Sequence, residues 1–167
     1  MTAFVENDSA LAIKIFEEKG EIKNPVIFKA LSKSYACITS YLDATDYSSQ
    51  AIVCWPNEEN WLIDHANLYE IIGDIAKSKE VWKKIIDKAI HKEIVVYYYM
   101  DFLLRQMNGK EVLDLLKENK KILFGSFDYF FTYAQAFFQV GSYEKSLKSI
   151  QDAKKLQVDN LELELLE

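Results

Sequence analysis

The sequence predicts an all-α protein built from antiparallel helix pairs, and three observations carry that prediction. Apolar residues recur at helical spacing, the pattern returns about every 34 residues, and chain-breaking residues are scarce, with five Gly and two Pro in 167 positions. The clearest stretch runs from Phe127 to Asp159. Phe130, Tyr133, Ala134 and Phe137 stand at i, i+3, i+4 and i+7 and therefore share one helical face. Gly141-Ser142 interrupts the pattern. A second stretch follows, in which Tyr143, Ser146, Leu147, Ile150 and Ala153 share a face while Lys145, Lys148, Lys154 and Lys155 point elsewhere. The two stretches make an αα-hairpin whose small residues, Ala134, Ser146 and Ala153, mark where the helices can cross closely.

Two such periods upstream, Leu62, His65, Ala66, Tyr69 and Gly73 take the places of Phe130, Tyr133, Ala134, Phe137 and Gly141. In the second helix Ile75, Ser78, Trp82 and Ile85 take those of Tyr143, Ser146, Ile150 and Ala153. The frame between holds Val96, Tyr99, Met100, Leu103, Met107, Gly109, Val112 and Leu116, with its turn read at Asn108-Gly109. A fourth frame holds Phe28, Leu31, Ser32, Tyr35, Thr39, Tyr41, Ala44, Ser48 and Ala51, with Pro56 near its close. Large and small residues in this order, followed by a Gly turn and a small-x3-bulky-x2-small helix, resemble the tetratricopeptide repeat. The resemblance covers four hairpins, residues 25–58, 59–92, 93–126 and 127–160. It departs from the family pattern at Met100, Ile85 and Asn119, which stand at small-residue places. The resemblance implies a right-handed superhelix of about eight or nine helices.

Each element follows from local signals. Asn7-Asp8-Ser9 offers a cap for a helix over Ala10 to Lys19, closed by Gly20, so residues 1–24 read as a half-repeat or a capping helix. Val26 to Leu42 keeps a helical period. The run Asp43-Ala44-Thr45-Asp46-Tyr47-Ser48-Ser49 favours turns, which predicts a short partner helix from Ser48 to Trp55. Glu58–Ile72 and Ala76–Ile90 form the next hairpin around Gly73-Asp74, and the lysines of the second helix read as a solvated convex face. Ile94 to Met100 has the β-branched and aromatic content of a strand, but the apolar period continues through Leu104, longer than strands run, so a helix is expected. Glu111 to Lys121 supplies its partner. The tail, 161–167, reads as the start of a capping helix or a further repeat.

Composition narrows the function. A formal net charge of −6 lacks the basic field that phosphate binding needs, so no nucleic-acid partner is expected. No apolar run of about 18 residues exists and the start lacks signal-peptide character, so neither a membrane span nor export is expected and the default location is cytoplasmic. Cys37 and Cys54 lack metal-binding spacing and read as buried small hydrophobes. His65 falls on the apolar face and reads as a hydrogen-bonded core histidine. No phosphate loop, nucleophile turn or carboxylate cluster is present, so the chain is expected not to be an enzyme and to need no cofactor or metal.

The resemblance implies a protein-interaction module whose first helices line a concave groove. Its groove places fall on Lys29 and Lys33, on Asp64 and Asn67, on Ile94, Tyr97, Tyr98, Asp101 and Arg105, and on Phe131, Thr132, Gln135 and Phe138. Tyr97, Tyr98, Phe131 and Phe138 would give an apolar floor, with Asp101, Arg105, Thr132 and Gln135 as a polar rim for a peptide or helix of another protein. The competing interpretation is a helical positioning or regulatory domain of a larger enzyme or assembly, without a ligand of its own.

Overall fold

The computed structural model describes residues 2–18, 24–89 and 91–156. Among them are ten helices and no strand: α1 Thr2–Glu18, α2 Pro25–Cys37, α3 Tyr41–Cys54, α4 Glu59–Ile71, α5 Ile75–Lys88, α6 Lys92–Arg105, α7 Gly109–Glu118, α8 Lys120–Leu123, α9 Phe127–Gln139 and α10 Tyr143–Leu156. The chain forms two compact units, Met1–Ile90 and His91–Glu167. In the first, α1 packs on α2, α2 on α3, α3 on α4 and α4 on α5. In the second, α6 packs on α7, α7 on α9 and α9 on α10, with the single-turn α8 against α7. The anticipated all-α architecture of antiparallel pairs is therefore present, with one or two more helices than expected. Gly20 and the tail 161–167 lie outside the described residues.

Each hairpin turns in the same way. Thr39, Gly73, Met107 and Gly141, spaced 34 residues apart, all adopt the left-handed conformation, with φ of 62°, 82°, 55° and 74°. The next residues, Ser40, Asp74, Asn108 and Ser142, donate their backbone N–H to the carbonyls of Tyr35, Tyr69, Leu103 and Phe137 at 2.8–2.9 Å. This bond ends the first helix in a Schellman motif. The carbonyls of those same four residues accept from Ala44, Ser78, Val112 and Ser146, opening the second helix. One residue thus closes one helix and starts its partner, which leaves a turn too short for the two helices to do anything but run antiparallel.

The third turn differs from the sequence expectation. Its left-handed residue is Met107, and Gly109 is instead the first residue of α7. A Cβ on Gly109 would lie 2.8 Å from the Ala136 carbonyl oxygen and 2.9 Å from Gln139 Cβ. The glycine is there because α7 meets the backbone of α9, and no side chain fits between them.

The hairpin crossings also repeat. Ser78 Oγ donates to the Ala66 carbonyl and Ser146 Oγ to the Ala134 carbonyl, each at 2.8 Å and buried. In the first hairpin the residues are exchanged: Ser32 on the first helix donates to the Ala44 carbonyl on the second, again at 2.8 Å. The third hairpin fills the same crossing with Met100 and Val112, both fully buried. Small residues let the helices approach, and the hydroxyl is satisfied by a carbonyl it could not reach at larger separation.

Three local expectations are corrected. Asn7, Asp8 and Ser9 lie inside α1, which starts at Thr2, and so do not cap it. α3 begins at Tyr41, well before Ser48, because its hydroxyls turn back onto the helix: Thr45 Oγ1 donates to the Tyr41 carbonyl and Ser49 Oγ to that of Thr45. Cys37 and Cys54 are exposed free thiols, since each is the last residue of its helix, past the point where the apolar row meets a neighbour. α6, in contrast, is helical despite its strand-like composition, and seven of its side chains, among them Val95, Tyr99, Met100 and Phe102, are buried.

Candidate binding surface

In the first unit the groove places do not all stay free for a ligand. Lys29 is only 7% exposed, and its ammonium pairs with the Asp64 carboxylate and lies 5.8 Å from the centre of the Trp61 ring. Trp61 in turn stacks on Trp55, ring centres 5.1 Å apart. Lys33 is exposed and Asn67 half-buried. A buried lysine whose charge is already balanced by a carboxylate and a ring face has little left to offer a ligand carboxylate, which would have to compete with Asp64 for it.

His65 is the buried neighbour of this group, set edge-on against Tyr69 with ring centres 4.6 Å apart. Burial first, and the nearby Lys29 charge second, lower its pKa from 6.5 to about 4. It is a core histidine, but its Nδ1 has no hydrogen-bond partner among the described residues, contrary to the expectation of a satisfied one.

In the second unit α6 carries Ile94, Tyr97, Tyr98, Asp101 and Arg105 on one face by their helical spacing. Ile94 and Tyr98 are 53% and 52% exposed, while the opposite side of the same helix is core. Tyr97 is half-buried and tied to the start of α9. Ser126 gives its one hydroxyl proton to the Leu123 carbonyl at 3.1 Å, so the Tyr97 phenol is the donor in their 2.9 Å contact. Burial first, and then the charges of Asp128 and Glu93, push the Tyr97 phenol above its ordinary pKa. Asp101 and Arg105 form an i,i+4 ion pair on the exposed side. At the far end, Gln139 Nε2 donates to the Leu104 carbonyl at 2.8 Å. These two ties, start to start and end to end, hold α6 alongside α9.

The α9 positions separate. Phe131 is half-buried, stacks on Phe127 at 5.6 Å, and packs with it on the cluster of Ala134, Ile150 and Ala153. Thr132 is buried and forms no rim, whereas Gln135 is half-buried. Phe138 is 51% exposed and meets the exposed Tyr143 edge-on at 5.7 Å. Ile94, Tyr98 and Phe138 therefore present open apolar area, while Tyr97, Phe131 and Thr132 mainly support it. Ser126 and Tyr143 are not legible as site residues in the sequence, since Ser126 carries only an ordinary N-cap pattern and the spacing of Tyr143 predicts the packed face of α10.

Among the described residues no three His, Cys, Asp or Glu side chains gather as a metal site, and no helix is long and apolar enough to cross a membrane. No family model matches the chain, and no curated protein matches it by sequence. Solved structures do match its fold. MamA from Desulfovibrio magneticus RS-1 aligns at a TM-score of 0.66 and 16% identity, over 83% of this chain and 78% of that one. YrrB, a TPR protein with an unusual peptide-binding site, aligns at 0.69 and 14%, over 98% of this chain and 82% of that one. The TPR-like repeats of a putative kinesin light chain from Podospora anserina align at 0.71 and 10%, over 92% and 87%.

Proposed function

We propose that this chain, a divergent tetratricopeptide-like helical repeat by fold, is a protein-interaction module, a scaffold or partner-specific chaperone without catalytic chemistry. Its four hairpins, 25–58, 59–92, 93–126 and 127–160, serve as the frame, and a peptide or helical segment of another protein docks on α6 and α9. One observation carries this reading: Ile94, Tyr98 and Phe138 stand half in solvent on helices whose other faces are core. Large side chains held open on a rigid backbone lose little entropy when covered, which is how a few residues come to dominate an interface. That YrrB, of the same fold, has a peptide-binding site supports the reading. A reducing, cytoplasmic setting suits the exposed thiols of Cys37 and Cys54.

The test is a partner captured from cell extract and then titrated against the purified chain. Tyr98→Ala with Phe138→Ala should weaken that complex by at least about 2 kcal/mol, the usual hot-spot threshold, with the thermal midpoint nearly unchanged. Unaltered affinity would remove this face from the interface.

A further inference from the structure

We infer that the segment docking on the α6–α9 face is basic, an apolar stretch carrying Lys or Arg, and this rests on the functional reading above. α9, from Phe127 to Gln139, contains no Lys or Arg. α6 contains two cations, Lys92 and Arg105. Arg105 is paired with Asp101 on its own helix. Lys92 stands one turn before the buried Val96, on the row that leads to the core, and so away from Tyr98. The carboxylates are placed differently. Glu93 lies one turn before Tyr97 on the same face, and Asp128 lies in the first turn of α9, two residues past the Ser126 that Tyr97 holds. Both are exposed, one on each of the two helices that the Tyr97–Ser126 contact joins.

Along the Tyr97–Ser126 tie there are thus two exposed carboxylates with no cation on α6 or α9 placed to neutralise them, Glu93 on the helix of Tyr98 and Asp128 at the start of the helix that carries Phe138. Charge complementarity selects and steers a cationic segment there and rejects an acidic one. The acidic tail of this chain, LELELLE, would be repelled by the same pair, which argues against self-occupancy.

Two synthetic peptides of equal length, one alternating Leu and Lys and its twin alternating Leu and Glu, are titrated against the full chain by fluorescence anisotropy at low and moderate salt. The Leu-Lys peptide is expected to bind, and Tyr98→Ala to weaken it. Glu93→Gln with Asp128→Asn should weaken it about tenfold at low salt and flatten its salt dependence, with an unchanged thermal midpoint. Equal or tighter binding of the Leu-Glu peptide, lost on Tyr98→Ala, overturns the charge assignment and leaves the docking surface standing. If Tyr98→Ala changes the binding of neither peptide, both the assignment and the surface fall. A wild-type dimer in sedimentation that Tyr98→Ala dissociates would make a second copy the occupant and overturn the proposal.

Discussion

Ser146 Oγ reaches the carbonyl of Ala134 at 2.8 Å in the buried crossing of α9 and α10, and the residue pair one period away from each in the preceding hairpin, Met100 with Val112, fills the same space with no polar atom at all. One backbone geometry is thus satisfied by two chemistries, a small hydrogen-bonded pair and a larger apolar one. Ser146→Ala should cost about 1 kcal/mol, the net worth of one buried hydrogen bond. Ser146→Val, without a matching change at Ala134, should cost about 1–3 kcal/mol by overpacking. Urea titration orders the two, and a Val variant as stable as the wild type would show that the crossing is looser than described.

The turn residues respond in opposite directions. Met107 and Thr39 are left-handed without being glycine, and both side chains are exposed. Met107→Gly and Thr39→Gly should each stabilise the fold by up to about 1 kcal/mol, since the left-handed region costs an L-residue about that much. Gly141→Ala should lose a similar amount. Thermal melts of the three variants give the comparison.

Gly109→Ala behaves otherwise, although alanine is the better helix former. Its Cβ would meet the backbone oxygen of Ala136 at 2.8 Å, and backbone in a packed helix does not yield cheaply. A loss of about 1–3 kcal/mol is expected, with α7 displaced from α9. Stabilisation on this substitution would refute the close approach.

His65 makes stability depend on pH. Its pKa is about 4 when folded against 6.5 for an unperturbed imidazole, so between those values the unfolded chain binds the extra proton. Stability is therefore complete above about pH 6.5 and is lost as pH falls toward 4, by on the order of 3 kcal/mol from this residue. His65→Phe should flatten that part of the profile. Lys29→Met should narrow it from the acid side and reduce the loss, because one cause of the depression is removed and the folded pKa moves closer to the unfolded one. Denaturant midpoints measured across pH 4–7 report both effects.

Much of this molecule can be read from the order of residue sizes. The 34-residue recurrence predicts the hairpins because a helix must turn its apolar row inward every 3.6 residues and a hairpin must end in a residue that tolerates left-handed backbone. Gly73 and Gly141 announce that residue and are found there. The same logic assigns α6 to a helix against its strand-like composition, since propensity is a weak local preference and the continuous apolar period serves packing along the whole element.

The sequence by itself determined the helical hairpins, their period and the faces that pack. It did not determine which groove-facing residues are free. Lys29 holds a groove place on its own helix, but Asp64 and Trp61, 35 and 32 residues away, take up its charge, and Phe131 holds a floor place, but α10 supplies Ile150 and Ala153 beneath it. Met107 takes the left-handed turn at the same place in the period as Thr39, Gly73 and Gly141, while the glycine two residues later serves the contact of α7 with Ala136. Periodicity depends on a residue's own helix and is carried in nearby sequence, whereas burial and pairing depend on atoms of a neighbouring helix, whose distance only the tertiary packing decides.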